Sequence, residues 1–220
     1  AFLVFDLSFL GANLVKVAAG GWFPLLVAIV VFTIMTTWRR GRRLLNVQLR
    51  RRLCGVEQFI DDVQKEKPVR VPDTGIYMSM IPDVIPPALL NNFRHNHVLQ
   101  KQVILLTVLT EDVPRVRKKE RVKVDALSDG FYRVVMHFGF METPDIIPLL
   151  EKLKAPGLQL DLSKATFFLG KEMILPSDTP GMAIWREKLF SMMTNNSRSA
   201  TAFFALPPEQ VMEIRGQVKI

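Results

Sequence analysis

Two side chains able to handle a proton or a cation interrupt an apolar stretch at the start of the chain: Asp6 and Asn13. Seven residues apart, they share one face of a helix. A carboxylate in hydrocarbon is costly unless it faces protein or a water-filled cavity, and such residues mark ion or proton paths by default. An interhelical hydrogen bond is the plainer role for both. Lys16, near the end of the same stretch, can snorkel to a lipid–water interface.

The other chemistry-bearing residues form no recognisable constellation. His95 and His97 flank Asn96, but no nearby cysteine or acidic cluster supplies the further ligands a metal would need. Capping a helix that ends near Asn96, or lining a loop, is their simpler role. His137 alternates within a run of β-branched and aromatic residues and reads as a packed or surface strand histidine. Cys54 is the single cysteine, which excludes an internal disulfide and a thiolate cage and agrees with a reducing compartment. Asp73, Arg115 and Glu142 fall on loops and suit turns or salt bridges. Neither a phosphate loop nor G-x-G-x-x-G is present, and no Ser/His/Asp signature is recognisable. No catalytic residue and no cofactor site is expected, so the chain does not read as an enzyme.

The elements that hold these residues are announced by an abrupt border. An apolar run from Trp22 to Trp38 stops at Arg39-Arg40-Gly41-Arg42-Arg43. At 1.5 Å per residue the run makes about 25 Å of helix, near the lower limit for crossing a bilayer. Tryptophans at both edges suit the two interfaces, and arginines straight after the last apolar residue suit the cytoplasmic side. Arg39, Arg40, Arg42, Arg43, Arg50, Arg51 and Arg52 supply all but one of the formal charge of +8. The remainder is almost neutral, which argues against nucleic-acid binding by the folded part. A collar in contact with anionic lipid headgroups fits better.

These signals divide the chain into three. Residues 1–38 read as two membrane helices, the first ending near Val17, with Ala18-Ala19-Gly20-Gly21 as a tight reversal that makes the two antiparallel neighbours. Residues 39–67 read as one basic amphipathic connector helix, with Leu45, Leu49, Leu53, Val56, Ile60 and Val63 on its apolar stripe. Residues 68–220 read as a cytoplasmic α/β domain. Its expected strands are Gly75–Met80, Val103–Thr110, Arg121–Val124, Phe131–Phe138, Thr166–Leu169 and Gln217–Ile220, with a hairpin turn at Leu127-Ser128-Asp129-Gly130. Its helices are expected near Ala88–Arg94, after Thr143-Pro144-Asp145, from Thr179-Pro180 to about Thr194, and after Pro207-Pro208. The fold class is thus an α-helical membrane segment followed by a cytoplasmic α/β domain.

Several separated blocks, in order, resemble one family. Asn13-Leu14-Val15-Lys16, Gly20-Gly21-Trp22-Phe23-Pro24-Leu25 and Met35-Thr36-Thr37-Trp38-Arg39-Arg40-Gly41-Arg42 resemble the last two membrane helices of Kup-type potassium uptake permeases. Arg70-Val71-Pro72-Asp73-Thr74, His95-Asn96-His97-Val98-Leu99, Val113-Pro114-Arg115-Val116, Gly139-Phe140-Met141-Glu142 and Leu206-Pro207-Pro208 follow the same family's pattern. The chain departs from it at Asp73, usually glycine there, at Asn91-Asn92-Phe93-Arg94, and near its end. The resemblance implies the C-terminal part of a multi-pass transporter of the bacterial inner membrane, importing potassium with protons. It implies potassium ligands upstream of these residues, so none is assigned here. It also implies the rest of the same transporter as a partner. For the α/β domain the expected role is regulation or dimerisation (as a homodimer) rather than ion conduction. A membrane-anchored ligand-binding or regulatory module is the rival reading.

Overall fold

A computed structural model of the chain describes residues 2–51, 54–175, 181–196 and 203–219. They group into two compact units, one built from the N-terminal helices with a returning C-terminal helix, the other from a sheet and its covering helices.

In the first unit, α1 (Phe2–Lys16) passes through a π-helical turn (Val17–Gly21) into the long α2 (Trp22–Arg51). Among the described residues, only Trp22–Gln48 is long and apolar enough to cross a membrane; Phe2–Leu14 is a shorter apolar helix. Ile29 and Phe32 are 66% and 70% exposed, an apolar surface that a water-soluble protein would cover. The tight reversal expected at Ala18-Ala19-Gly20-Gly21 is instead the π-helical turn, with Gly20 at φ +123°. A packed antiparallel pair is not formed either, because the apolar side chains of α1, from Phe2 to Leu14, stay exposed. A wide helical turn keeps backbone groups hydrogen-bonded across the two glycines, which an apolar stretch favours over freeing them. The unit is completed by α6 (Ile184–Asn195).

The second unit is a six-stranded sheet of β1 (Val69–Ser79), β2 (Val98–Glu111), β3 (Val122–Ala126), β4 (Phe131–Gly139), β5 (Thr166–Leu175) and β6 (Val211–Lys219), in the order β3-β4-β2-β1-β5-β6. All neighbours are parallel except the β3–β4 hairpin. Asp129 and Gly130 adopt left-handed conformations at its turn, as the Ser-Asp-Gly sequence predicts. Successive residues alternate faces. Tyr77, Val103, Leu105 and Phe168 pack under α3 (Val56–Glu66) and α4 (Pro87–Asn96), while Ile76, Ile104, Leu106 and Phe167 pack under α5 (Ile147–Leu150) and its neighbouring loops. The run Val103-Ile104-Leu105-Leu106 is therefore fully buried, as expected for a strand covered on both faces.

The connector expected as one helix over 39–67 is two. Its first part prolongs α2 to Arg51. Its second part is α3, which starts after Gly55 in extended conformation and buries Val56, Phe59, Ile60 and Val63 in the sheet unit. Leu53 and Arg52 lie outside the described residues. Strands run further than expected: β1 starts at Val69, β2 at Val98 and β6 at Val211, and β5 reaches Leu175. The β1–β2 register shifts between Val71 and Thr74, where Pro72 has no N–H to give a ladder.

Candidate functional site: the basic end of the apolar helix

The end of α2 is built as a junction. Thr36 donates to the carbonyl of Thr33 (3.2 Å). Thr37, one residue on, is fully buried. From α6, Arg186 reaches both: Nε donates to Thr37 Oγ1 (2.9 Å) and Nη2 to Thr36 Oγ1 (3.2 Å). Phe190 packs edge-on against Trp38, with ring centroids 5.6 Å apart. It also covers Gly41, where a Cβ would lie 2.4 Å from Phe190 Cδ2 and Cγ. Gly41 therefore admits the ring where no other residue fits without movement. Arg40 donates to the carbonyl of Gly181 (2.9 Å), and Gly181 in turn sits close under Leu44.

The charged residues divide between tied and free. Arg39, Arg42 and Arg43 are exposed, and Arg42 lies over the Trp38 ring at 5.9 Å. Arg50 and Arg51 close α2. Glu187, on the buried side of α6, is 4% exposed, and neither of its carboxylate oxygens has a hydrogen-bond partner among the described residues. A buried polar group left unpaired is rare enough to call for an explanation.

Asp6 and Asn13 share a face of α1, as their spacing predicts, and both are exposed without a described hydrogen bond. The structure does not bring them near the arginines as one site. The histidines behave as caps and strand residues. His97 is the left-handed C-cap of α4, its N–H donating to the Phe93 carbonyl (3.1 Å), and His137 Nδ1 lies 2.6 Å from Glu111 Oε1. Among the described residues no group of three or more His, Cys, Asp or Glu could hold a metal ion.

In the sheet unit, Glu142 fastens two loops. It accepts from the N–H groups of Gly139 (2.8 Å) and Val116 (3.2 Å) and pairs with Arg121. Those backbone donors, then Arg121 and Arg115, hold its carboxyl below the usual glutamate range. Gly139 is needed there, since a Cβ would lie 2.3 Å from the Pro114 carbonyl oxygen. Beneath α4, the buried Tyr77 hydroxyl accepts from Asn92 (3.0 Å) and donates to Gln100 (3.0 Å). Burial pushes this phenol well above its ordinary value, and the two hydrogen bonds oppose that only in part.

Gly41, Gly181, Arg186, Glu187 and Phe190 escape sequence reasoning. One signal was available: glycine inside a helix costs about 1 kcal/mol relative to alanine, so Gly41 within α2 asks for a packing reason.

An apolar helix with a basic end, followed by an α/β domain, defines a membrane protein with a folded extramembrane part. Residues 1–43 match the integral membrane domain of the K+ potassium transporters, and residues 72–220 match their C-terminal domain. The chain belongs to this potassium transporter family. It is 50% identical over its whole length to the "Probable potassium transport system protein Kup" of Myxococcus xanthus and 45% identical to Kup 1 of Geobacter sulfurreducens. It is 40% identical to the Kup protein of Bdellovibrio bacteriovorus. The chain spans about a third of the length of these curated relatives (34%, 35% and 34%). They are named as transport proteins, not as enzymes. No solved structure matches the chain significantly.

Proposed function

We propose that the chain is the C-terminal part of a transporter that imports potassium together with protons across the inner membrane of a bacterium. The observation that carries this reading is the ordered pair of family matches, membrane domain over 1–43 and C-terminal domain over 72–220. The exposed apolar surface of α2 supports insertion in a bilayer. The arginines after Trp38 support a cytoplasmic α/β domain, by the positive-inside bias of short juxtamembrane segments. In this reading the transporter is multi-pass, with its potassium ligands on upstream helices. Asp6 and Asn13 face protein or water there, and the arginine collar meets anionic lipid. Proton coupling has a simple energetic basis: each charge crossing 100 mV gains about 2.3 kcal/mol, so a co-transported proton roughly doubles the electrical drive.

The α/β domain regulates or dimerises the transporter in this account. Two features support that. β1 and β5 pair only over Gly75–Tyr77 and Thr166–Phe168, so the sheet opens beyond them, where connections leave in opposite directions. Open parallel sheets take ligands at such points. Among the described residues β6 is an edge strand with one unpaired side, on which a second copy could build. The test is rubidium uptake in a host lacking its own potassium importers. The transporter containing this chain is compared with a version ending after Arg43, at equal membrane abundance. Uptake that an uncoupler abolishes supports a drive from the proton gradient and potential together, and loss on truncation makes the part after Arg43, α6 included, necessary. No uptake by a well-expressed transporter would favour the membrane-anchored ligand-binding module instead.

A further inference from the structure

Three large apolar residues of α6 lie on the side that the helix leaves open. At 100° per residue, Ile184, Trp185, Lys188 and Met192 fall within roughly a 100° arc of the helix. That arc is the exposed one: Ile184 is 61%, Trp185 57% and Met192 63% exposed. The buried side carries Glu187 beside Phe190. A surface helix of a water-soluble domain shows the opposite arrangement.

The place of α6 says what covers this stripe. The described contacts of α6 and the residues just before it on α2 run from Thr36 to Leu44. Those of α6 itself are Arg186 on Thr36 and Thr37 and Phe190 on Trp38 and Gly41, so the helix packs at the level where the apolar run ends, among exposed Arg39, Arg42 and Arg43. The end of a membrane span lies at the level of the interface. Tryptophan favours that level, lysine can snorkel from it, and the neighbouring arginines attract anionic headgroups.

We propose that α6 is an interfacial helix, seated in the headgroup boundary of the bilayer through Ile184, Trp185 and Met192 and clamped to the end of α2 by Arg186 and Phe190. The proposal rests on the membrane reading of α2 and adds a second, non-spanning membrane contact far along the chain. It makes the C-terminal part lipid-anchored at two points.

The test uses the whole transporter containing this chain, reconstituted in phosphatidylcholine–phosphatidylglycerol vesicles. Cys54→Ser and replacement of any other cysteine give the background. A nitroxide is then placed at Ile184→Cys, Trp185→Cys or Met192→Cys, one at a time. Relaxation by oxygen and by a water-soluble nickel chelate is compared. The expected result is strong oxygen and weak nickel access at all three sites, shifting toward nickel when Gly41→Leu displaces Phe190. Free nickel access would place the stripe in water and overturn the proposal. Low access to both reagents would place it against protein and overturn it equally. Rubidium uptake by the same vesicles is read separately. Labels in lipid without uptake would count against transport alone, and labels in water with normal uptake would count against the interfacial helix alone.

Discussion

Replacing Gly41 by alanine sets two opposed effects against each other at one atom. In an unconstrained helix the change stabilises by about 0.8–1 kcal/mol, because glycine has more backbone freedom to lose. In this structure the new Cβ would lie 2.4 Å from the Phe190 ring, well inside any real contact. Overpacking of this kind costs typically about 1–3 kcal/mol, so the net effect on the α2–α6 junction is a loss of about 0–2 kcal/mol. Phe190→Ala alone should cost about 3–5 kcal/mol, since the ring is fully buried. With the ring gone, Gly41→Ala should change sign and stabilise by about 1 kcal/mol. The double-mutant cycle therefore predicts a coupling on the order of 1–3 kcal/mol. Amide hydrogen exchange of α6 in the reconstituted transporter reads it locally, at about tenfold in protection per 1.4 kcal/mol. Equal stabilisation by Gly41→Ala in both backgrounds would refute the contact and the placement of α6 built on it.

Other consequences are equally open to measurement. Arg186→Ala removes two hydrogen bonds from a charged donor to Thr36 and Thr37 and should lower α6 protection by about 2 kcal/mol, with Arg186→Lys recovering only part of it. Glu187→Leu should leave thermal stability unchanged or raise it by about 1–3 kcal/mol, because the carboxylate it removes is buried without a partner; a clear drop in melting temperature would mean that Glu187 is held by a group from elsewhere in the transporter. Glu142 is held below its ordinary range in the folded state, so its contribution is fully present above that range and is lost as the pH falls through the lowered native value. An acid titration of exchange in the 113–121 loop should show this loss, and Glu142→Gln should flatten it. Burial and Asp62 raise the Cys54 thiol, with Arg94 opposing, so alkylation at neutral pH should be slower than for a free thiol and accelerate as the pH rises.

Where one physical signal dominates, sequence and structure agree. The strand Val103–Leu106 is legible because burial on both faces demands an unbroken apolar run. The β3–β4 turn is legible because Asp129 and Gly130 take conformations few residues accept. The helix through Trp22–Trp38 and its basic end are legible from composition alone. The outer parts of β1, β2 and β6 were not, because exposed strand ends carry no alternation and exist only through pairing. The break at Gly55 was hidden because the apolar stripe continues across it, from Leu45 to Ile60, while the helices on either side serve different units. The junction was least legible of all. Arg186 and Thr37 stand 149 positions apart, and nothing local to either announces the other. Only Gly41 carried a trace, a glycine inside a helix.

We propose above that the transporter containing this chain imports potassium together with protons. The most direct test of this is tracer rubidium flux into vesicles holding the purified transporter that contains the chain, with membrane potential and pH gradient imposed separately. Symport requires uptake that potassium competes away, that an inward proton gradient accelerates at fixed potential, and that acidifies the lumen in step with rubidium entry. Uptake indifferent to the pH gradient would contradict proton coupling, and an absence of potassium-competed uptake by folded, correctly inserted protein would contradict the transport assignment itself.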